Sequence, residues 1–321
     1  MKEKTSRGRF VLVSMFALFV SLPITAHADT AEPQLKGVVE TQLNVRTKQI
    51  AVELEGMADP TTLTISDPDV LNKLKSAARS DEVVVSVDKI QGQITKLISL
   101  ARPVPLEVRL IAFAVSVMAL LLLASILSRG KPLSFIIGVD NRYSNSQTQL
   151  ALWFGAAGAI YLAALFLRVY YLGWGFVGGV GLSEHVMELT GLSALTFGGA
   201  KAITAQKVAN AQQDMATAQQ QGATIHQLAA IPQKTAASRP NLINDLFTND
   251  AGQADLGDFQ MILITTLAAA IFLITCINFL GALAVQPQVT LPDVDTSLLT
   301  GFGVGQGAYL VKKAALKLGE G

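Results

Sequence analysis

Long apolar runs alternate with polar segments along most of the chain, and they predict a helical membrane domain. Three runs, residues 110–127, 150–172 and 261–285, are almost free of charge. A transmembrane helix needs about 20 mostly apolar residues, so each of these runs is predicted to cross a bilayer. Two shorter runs that contain glycine, residues 186–200 and 298–311, are marginal by length.

Residues 29–104 have a different periodicity, which predicts a small β-rich domain. Apolar and other side chains alternate around Ile50, Val52 and Leu54, again at Leu63 and Ile65, and again over residues 83–87. This period of two is typical of half-buried strands. Turn residues separate the stretches, and residues 70–78 fit one short helix. The pattern indicates a binding or packing domain, because it contains no cluster of catalytic side chains.

The first 28 residues have the pattern of a secretory signal peptide. Basic residues come first, a short apolar stretch follows at residues 10–22, and Ala26-His27-Ala28 ends the segment. This order is typical of cleaved signals, and the apolar stretch is short for a membrane span. We therefore expect cleavage after Ala28, with an uncleaved anchor helix as the alternative.

The distribution of basic residues favours five crossings over three. If residues 105–130 form the first transmembrane helix and both short runs also cross, the two outer loops, residues 173–185 and 286–297, contain no Lys or Arg. Positive residues concentrate on the cytoplasmic side of membrane proteins. This assigns the basic segments and the tail at 314–321 to the cytoplasm and residues 29–104 to the outside. Arg102, Arg109 and Arg168 are exceptions, and the last two lie at outer helix ends, where we expect them to snorkel.

The membrane region contains one unit used twice, at residues 140–201 and 250–313. Each copy has a polar segment, a long span, an outer loop, a short glycine-containing return helix and a lysine. The predicted structural or interaction residues are Ser144, Gln149, Gly191, Lys201, Gln260, Gly303 and Lys313. Both copies run in the same direction, whereas several transporter folds have inverted repeats.

With these residues, segments 140–201 and 241–313 resemble a group of bacterial membrane proteins. In that group a polar segment ends in Gln, and a later Leu-x-Gly-Ile-Ser-like segment ends in Tyr-Leu-Gly-x-Lys. The second copy departs from the pattern, since Val304-Gly305 stands where Ile-Ser is expected. The resemblance implies a related fold and no particular activity. The signal peptide, the spans and the charge distribution together predict the inner (cytoplasmic) membrane, with residues 29–104 outside the cytoplasm.

Two further features concern partners. Residues 202–249 are rich in Ala and Gln in their first part, which predicts a cytoplasmic helix and loop that extend the return helix or bind a protein. Asn278 is predicted to lie deep in a span, bonded to a neighbouring helix or contacting a substrate. A stripe of small residues, Gly155, Ala159 and Ala163, indicates packing within the chain, or alternatively a homo-oligomer.

Composition narrows the function further. Half of the residues are apolar, 15% are charged and the net charge is +1, so nothing indicates nucleic-acid binding. One cysteine and three scattered histidines indicate no disulfide, metal site or cofactor. We expect a non-enzymatic inner-membrane protein, a structural, sensory or partner-binding component of an envelope-associated complex. Its partners would be the bilayer and a protein bound by residues 202–258 or 29–104; an ion channel or small-solute transporter is the alternative.

Overall fold

The structure is a computed structural model, and it describes residues 34–57, 59–88, 91–138, 141–223, 237–248 and 254–315. The predicted signal peptide and the last residues of the predicted tail lie outside the described residues.

The N-terminal part is a small β-barrel with one helix. Its elements are β1 (Gln34–Val39), β2 (Gln49–Leu54), β3 (Thr61–Ile65), α1 (Pro68–Leu74), β4 (Glu82–Asp88) and β5 (Gln93–Pro103). The strands pair antiparallel in the order β3-β2-β1-β4-β5, and a short parallel pairing of β3 with β5 closes the sheet. With a helix between the third and fourth strands, this is the strand order of the OB-fold, which on its own implies no function.

The barrel confirms the predicted β-rich domain and adds two strands to it. The alternating apolar side chains of β2, β3 and β4 all lie in the barrel core. Strand β5 was not predicted, because two irregularities in its pairing with β4 break the alternation of buried and exposed side chains along it. Strand β1 contains Gly37, where a Cβ atom would lie 2.6 Å from the carbonyl oxygen of Glu53. Glycine is therefore required for the close approach of β1 to β2.

The C-terminal part is helical. Its helices are α2 (Leu106–Leu127), α3 (Asn145–Leu172), α4 (Glu184–Gln220), α5 (Leu242–Phe247), α6 (Leu256–Phe279) and α7 (Thr296–Ala315). Among the described residues, α2, α3 and α6 are the helices long and apolar enough to cross a membrane. Helix α2 packs on α3 and buries only Ala112 and Ser116.

Helices α3, α4, α6 and α7 form a four-helix bundle. The buried stripe of α4, which begins at Val186 and Leu189 and ends at Ala200, repeats every three or four residues, as in bundle helices. The ring of Trp153 lies 5.9 Å from that of Phe302 and 6.2 Å from that of Phe272, centroid to centroid. These rings fill the middle of the bundle.

Each of the two predicted copies is a pair of helices joined by a loop that contains strand residues. Helix α3 is followed by β6 (Val180–Gly181) and α4, and α6 is followed by β7 (Ala282–Ala284), β8 (Val289–Thr290) and α7. Strands β6 and β8 pair in parallel. Gly179, with φ of 64°, lies beside Pro287, whose carbonyl oxygen leaves no space for a Cβ atom there. The loops of the two units are therefore in direct contact.

Candidate functional site

The bundle meets the barrel at one end, which we call the junction end. Strand β7, which follows the last long apolar helix, pairs antiparallel with β5 and becomes the sixth strand of the barrel sheet. The N–H of Val104 donates to Gly281 O and that of Val285 to Leu100 O, both at 2.9 Å. The barrel is thus joined to the bundle by backbone pairing as well as by the chain.

Arg102 adds a charged connection at the same place. Its Nε and Nη2 donate to the two carboxylate oxygens of Asp81, each at 2.8 Å, and its Nη1 donates to Tyr171 O at the end of α3. The hydrogen bond to Asp81 raises the pKa of Arg102, although desolvation opposes it. The bidentate pair lies within the barrel and is directional, so it fixes the guanidinium of Arg102. The bond from Nη1 to Tyr171 O then connects the barrel to α3.

Arg168 binds the junction loops from within the bundle. Its guanidinium donates to four carbonyl oxygens, those of Phe176 (3.3 Å), Ala284 (3.4 Å), Gln286 (2.7 Å) and Pro287 (3.1 Å). The residue is 1% exposed. The expectation that Arg168 snorkels to the outside is therefore wrong, because loop carbonyls of both units surround its charged end.

Arg109 on α2 makes a similar contact. Its Nη1 donates to Ile277 O at 2.8 Å, near the end of α6. The three arginines that did not fit the positive-inside pattern thus meet at the junction end, where each bonds to backbone carbonyls. Their role in the described structure is to connect elements.

Gln149 is the centre of a buried polar cluster inside the bundle. Its Nε2 donates to Thr265 Oγ1 at 2.9 Å and to Met261 O at 3.2 Å, and its Oε1 accepts from Gln306 Nε2 at 2.8 Å. Gln149 is 1% exposed and Gln306 is 3% exposed. The cluster therefore links α3, α6 and α7 through three different side chains.

A cavity of about 510 Å³ lies at the opposite end of the bundle, the cavity end. It is bounded by the start of α3, the middle of α4, the first turn of α6 and the last turn of α7. Three of the predicted residues, Ser144, Lys201 and Lys313, line it together. Lys201 Nζ lies 5.8 Å from the ring centroid of Phe197, and Lys313 Nζ lies 5.6 Å from that of Tyr309. Sequence position alone did not predict that these side chains converge.

Carboxylates at the cavity end hold one of its lysines. Asp255 caps α6 by accepting from Gly257 N at 2.9 Å and Asp258 N at 3.2 Å, and it also accepts from Lys312 Nζ. Burial alone would raise the pKa of Asp255, but these hydrogen bonds outweigh burial and lower it. Asp258 lies 3.6 Å from Lys312 Nζ. Lys312 is thus tied to the start of α6.

The remaining predicted residues lie elsewhere. Gln260 is exposed on α6, and Gly191 is exposed on α4 with open space where a Cβ would be. A Cβ atom at Gly303 would lie 3.8 Å from Leu192 Cδ1, an ordinary van der Waals distance. Asn278 is exposed near the junction end of α6, and its backbone carbonyl accepts from Arg109 Nη1 of α2 at 3.4 Å. Of the two matched glutamines, only Gln149 is a core residue.

Sequence reasoning missed Gln306 and the bonding of Arg102 and Arg168. Gln306 is the one amide side chain in α7, and this could have singled it out. Nothing local in the sequence indicates the carbonyl partners of the arginines, because those partners belong to loops far away in the chain. Among the described residues, no group of His, Cys, Asp and Glu is arranged to hold a metal ion.

Comparison of the chain with protein-family models, with curated proteins and with solved structures finds no match. The geometry of the two ends of the bundle is therefore the basis for a functional proposal.

Proposed function

We propose that this protein is a non-enzymatic protein of the bacterial inner membrane that joins binding partners on its two sides. In this proposal the barrel is outside the cytoplasm, the bundle spans the membrane with five crossings, and α4 extends into the cytoplasm. The protein would act as a linking component of an envelope-associated complex.

The connection between barrel and bundle is the observation that carries this proposal. A domain that needs only an anchor can be held by a flexible linker. Here β7 enters the barrel sheet and Arg102 bonds both Asp81 and Tyr171. The barrel is thus held in one orientation on the bundle, as a component that links two partners requires.

The second supporting feature is the length of α4. Lys207 Nζ donates to Lys313 O, so Lys207 lies level with the last turn of α7. Residues 208–220 continue the helix beyond this point, by about 20 Å at 1.5 Å per residue. Most of their side chains are exposed. We call this segment the arm. Val208, Ala209 and Gln212 at its start line the cavity described above, and the exposed residues after them offer a partner a surface away from the bundle.

Five crossings are supported by the path of α4 and α7. Both helices run between the junction end and the cavity end beside α3 and α6. Their exposed apolar side chains, Met187, Leu195, Val304 and Val311, would contact lipid. Lys201, Lys312 and Lys313 lie at the cavity end, which the positive-inside bias assigns to the cytoplasm.

The packing of the bundle favours linking over conduction through a single copy. Trp153, Phe272 and Phe302 are each 2% exposed or less, and the Gln149 cluster occupies the space beside them. A channel needs a polar, hydrated path between its helices. An aromatic core of this kind instead stabilises a fixed bundle.

Photo-crosslinking in living cells tests the proposal on the full chain. A photoreactive amino acid would replace exposed Gln213 on the arm or exposed Lys96 on the barrel. We expect each position to give discrete protein adducts, with different partners on the two sides. Leu122, which is 59% exposed on α2, is the matched control and should give lipid adducts.

The absence of protein adducts would contradict the proposal. If neither position gives protein adducts beyond those of the Leu122 control, the linking proposal fails. Ion conductance of the purified protein in planar bilayers would then identify the alternative, a channel.

A further inference from the structure

We propose that the cavity at the cavity end binds a phosphate ester that also bears a hydroxyl or amino group. The inference is independent of partner binding by the barrel, and it shares with the arm only Val208, Ala209 and Gln212, which line the cavity. Two sources supply this chemistry: the headgroup of a phospholipid in the cytoplasmic leaflet, or a soluble phosphate ester. The cavity volume of about 510 Å³ is within the range of small-molecule sites.

The charges that line the cavity favour an anion. Four cationic side chains line it, those of Arg142, Lys201, Lys312 and Lys313, against the carboxylates of Asp245 and Asp258. Asp255, which holds Lys312 from outside the lining, offsets one further charge, and positive charge remains in excess. Asp245 accepts from the N–H of Tyr143 at 3.0 Å. Asp258 Oδ1 lies 3.6 Å from Lys312 Nζ and has no hydrogen-bond partner among the described residues, so its charge is offset by an ion pair alone. Lysine ammonium groups act as point charges that bind phosphate.

The start of α3 contributes to the same preference. Ser144 is its N-cap residue, yet no side chain caps the first turn; Ser144 Oγ instead lies 3.3 Å from Ser146 Oγ. Uncapped N–H groups at a helix start favour anions because they combine donors with the positive end of the helix dipole. Ser144, Asn145 and Ser146 all line the cavity.

A buried hydrogen-bond acceptor in the cavity indicates that the ligand also carries a donor, a hydroxyl or amino group. Asn145 lines the cavity, is 6% exposed, and its Oδ1 has no hydrogen-bond partner in the described part of the chain. A buried acceptor without a donor is unfavourable. A simple phosphate at neutral pH mainly accepts hydrogen bonds, whereas a hydroxyl or amino group on its ester can donate one to Asn145. This combination is found in phosphatidylglycerol, phosphatidylethanolamine and glycerol phosphate.

The position of the cavity makes a lipid source accessible. Helices α3 and α6, both long and apolar enough to cross a membrane, begin at the cavity. Headgroups occupy the layer just outside the hydrocarbon core. A lipid at the bundle surface would therefore have its phosphate at the same depth as Lys201 and Lys313.

Binding measurements on the full, delipidated chain in a neutral detergent test the inference. The ligands are short-chain phosphatidylglycerol, short-chain phosphatidylcholine (whose headgroup has no donor), glycerol phosphate and inorganic phosphate, each titrated by calorimetry. We expect saturable binding of phosphatidylglycerol or glycerol phosphate, and weaker binding of phosphatidylcholine and inorganic phosphate. Binding of phosphatidylglycerol but not of glycerol phosphate identifies a lipid site. Binding of both ligands identifies a site that also accepts soluble esters.

Matched variants assign the binding to the cavity. Lys201→Gln with Lys313→Gln should weaken binding about tenfold or more, because charge-assisted hydrogen bonds are lost. Arg129→Gln with Lys131→Gln removes the same charge from exposed positions outside the cavity lining and should leave binding unchanged. Asn145→Ala should reduce the preference for phosphatidylglycerol over phosphatidylcholine.

A cavity-filling variant covers the case in which the lysine variant fails to fold. Ala205 is exposed and lines the cavity, so Ala205→Trp should abolish binding without disturbing the core. The inference is overturned if wild-type protein binds neither ester saturably, or if phosphatidylcholine binds as tightly as phosphatidylglycerol. It is also overturned if the Arg129 and Lys131 control loses as much affinity as the lysine variant, or if Ala205→Trp binds normally.

Discussion

Gln149 and Gln260 mark matching positions in the two predicted copies, yet their surroundings differ completely. Gln149 bonds to Met261, Thr265 and Gln306 in the bundle core, whereas Gln260 is exposed. Both residues are amides that follow a polar segment and begin an apolar helix. Their chemistry is the same, so their energetic roles depend on what each side chain contacts.

Gln149→Leu is expected to lower the free energy of unfolding by about 1–3 kcal/mol, because it leaves buried hydrogen-bonding groups without partners. Gln260→Leu, the matched control, should change it by no more than about 0.5 kcal/mol, as is usual for exposed positions. Chemical unfolding in detergent micelles, followed by circular dichroism, measures both. Equal effects at the two positions would contradict the buried cluster.

The pair Gln149 and Gln306 offers a second measurement. Replacing both by Leu removes a bonded donor and acceptor together, so the double variant should lose less stability than the sum of the single variants. Strict additivity would mean that the two side chains do not interact.

At the scale of elements, Arg168 organises the loops at the junction end. Its guanidinium donates to the carbonyl of Phe176, which follows α3 in the first unit, and to carbonyls of residues 284–287 in the second. Those same loops contain β7, which completes the barrel sheet, and lead into β8, which pairs with β6. One side chain therefore supports both strand pairings.

Arg168→Leu is expected to raise the amide hydrogen-exchange rates of Val285 and Val289, whose N–H groups donate to Leu100 O and Gly179 O. Loss of the guanidinium leaves the loop carbonyls unpaired, so the loops open more often. Hydrogen exchange with mass spectrometry on purified protein measures the change.

Arg79→Leu is the control for that experiment, since it removes an arginine whose side chain is 75% exposed on the barrel. It should leave exchange in residues 282–290 unchanged. If Arg168→Leu also leaves these residues protected, the loops are held by strand pairing alone.

The whole molecule is two bodies joined at the junction end, with a cavity and an arm at the far end of the bundle. The arrangement predicts that barrel and arm are on opposite sides of the membrane if α4 and α7 both cross. With three crossings, both would be outside. Side-specific labelling distinguishes these topologies.

Two variants with one added cysteine each, Lys96→Cys on the barrel and Gln219→Cys on the arm, provide this test. Both positions are exposed, and the native Cys276 is fully buried and should stay unlabelled. An impermeant maleimide should label Lys96→Cys in intact spheroplasts and Gln219→Cys only after permeabilisation. Labelling of Gln219→Cys in intact spheroplasts would support three crossings instead.

The sequence by itself determined the three long apolar helices and the alternating strands β2, β3 and β4. These features depend on the composition and period of neighbouring residues, which can be read without knowing any distant contact. The same local reasoning predicted a helix that continues past Lys201. Strands β1 and β5 were not predicted, since Gly37 and the irregular pairing of β5 break the local pattern.

Only the tertiary structure decided how these elements are used. It placed β7 in the barrel, surrounded Arg168 with loop carbonyls, buried Gln149 while leaving Gln260 exposed, and brought Ser144, Lys201 and Lys313 around one cavity. Each of these outcomes joins residues that are far apart along the chain. The identity of a residue states which bonds it can make, but the packing of distant elements determines which partners come within reach.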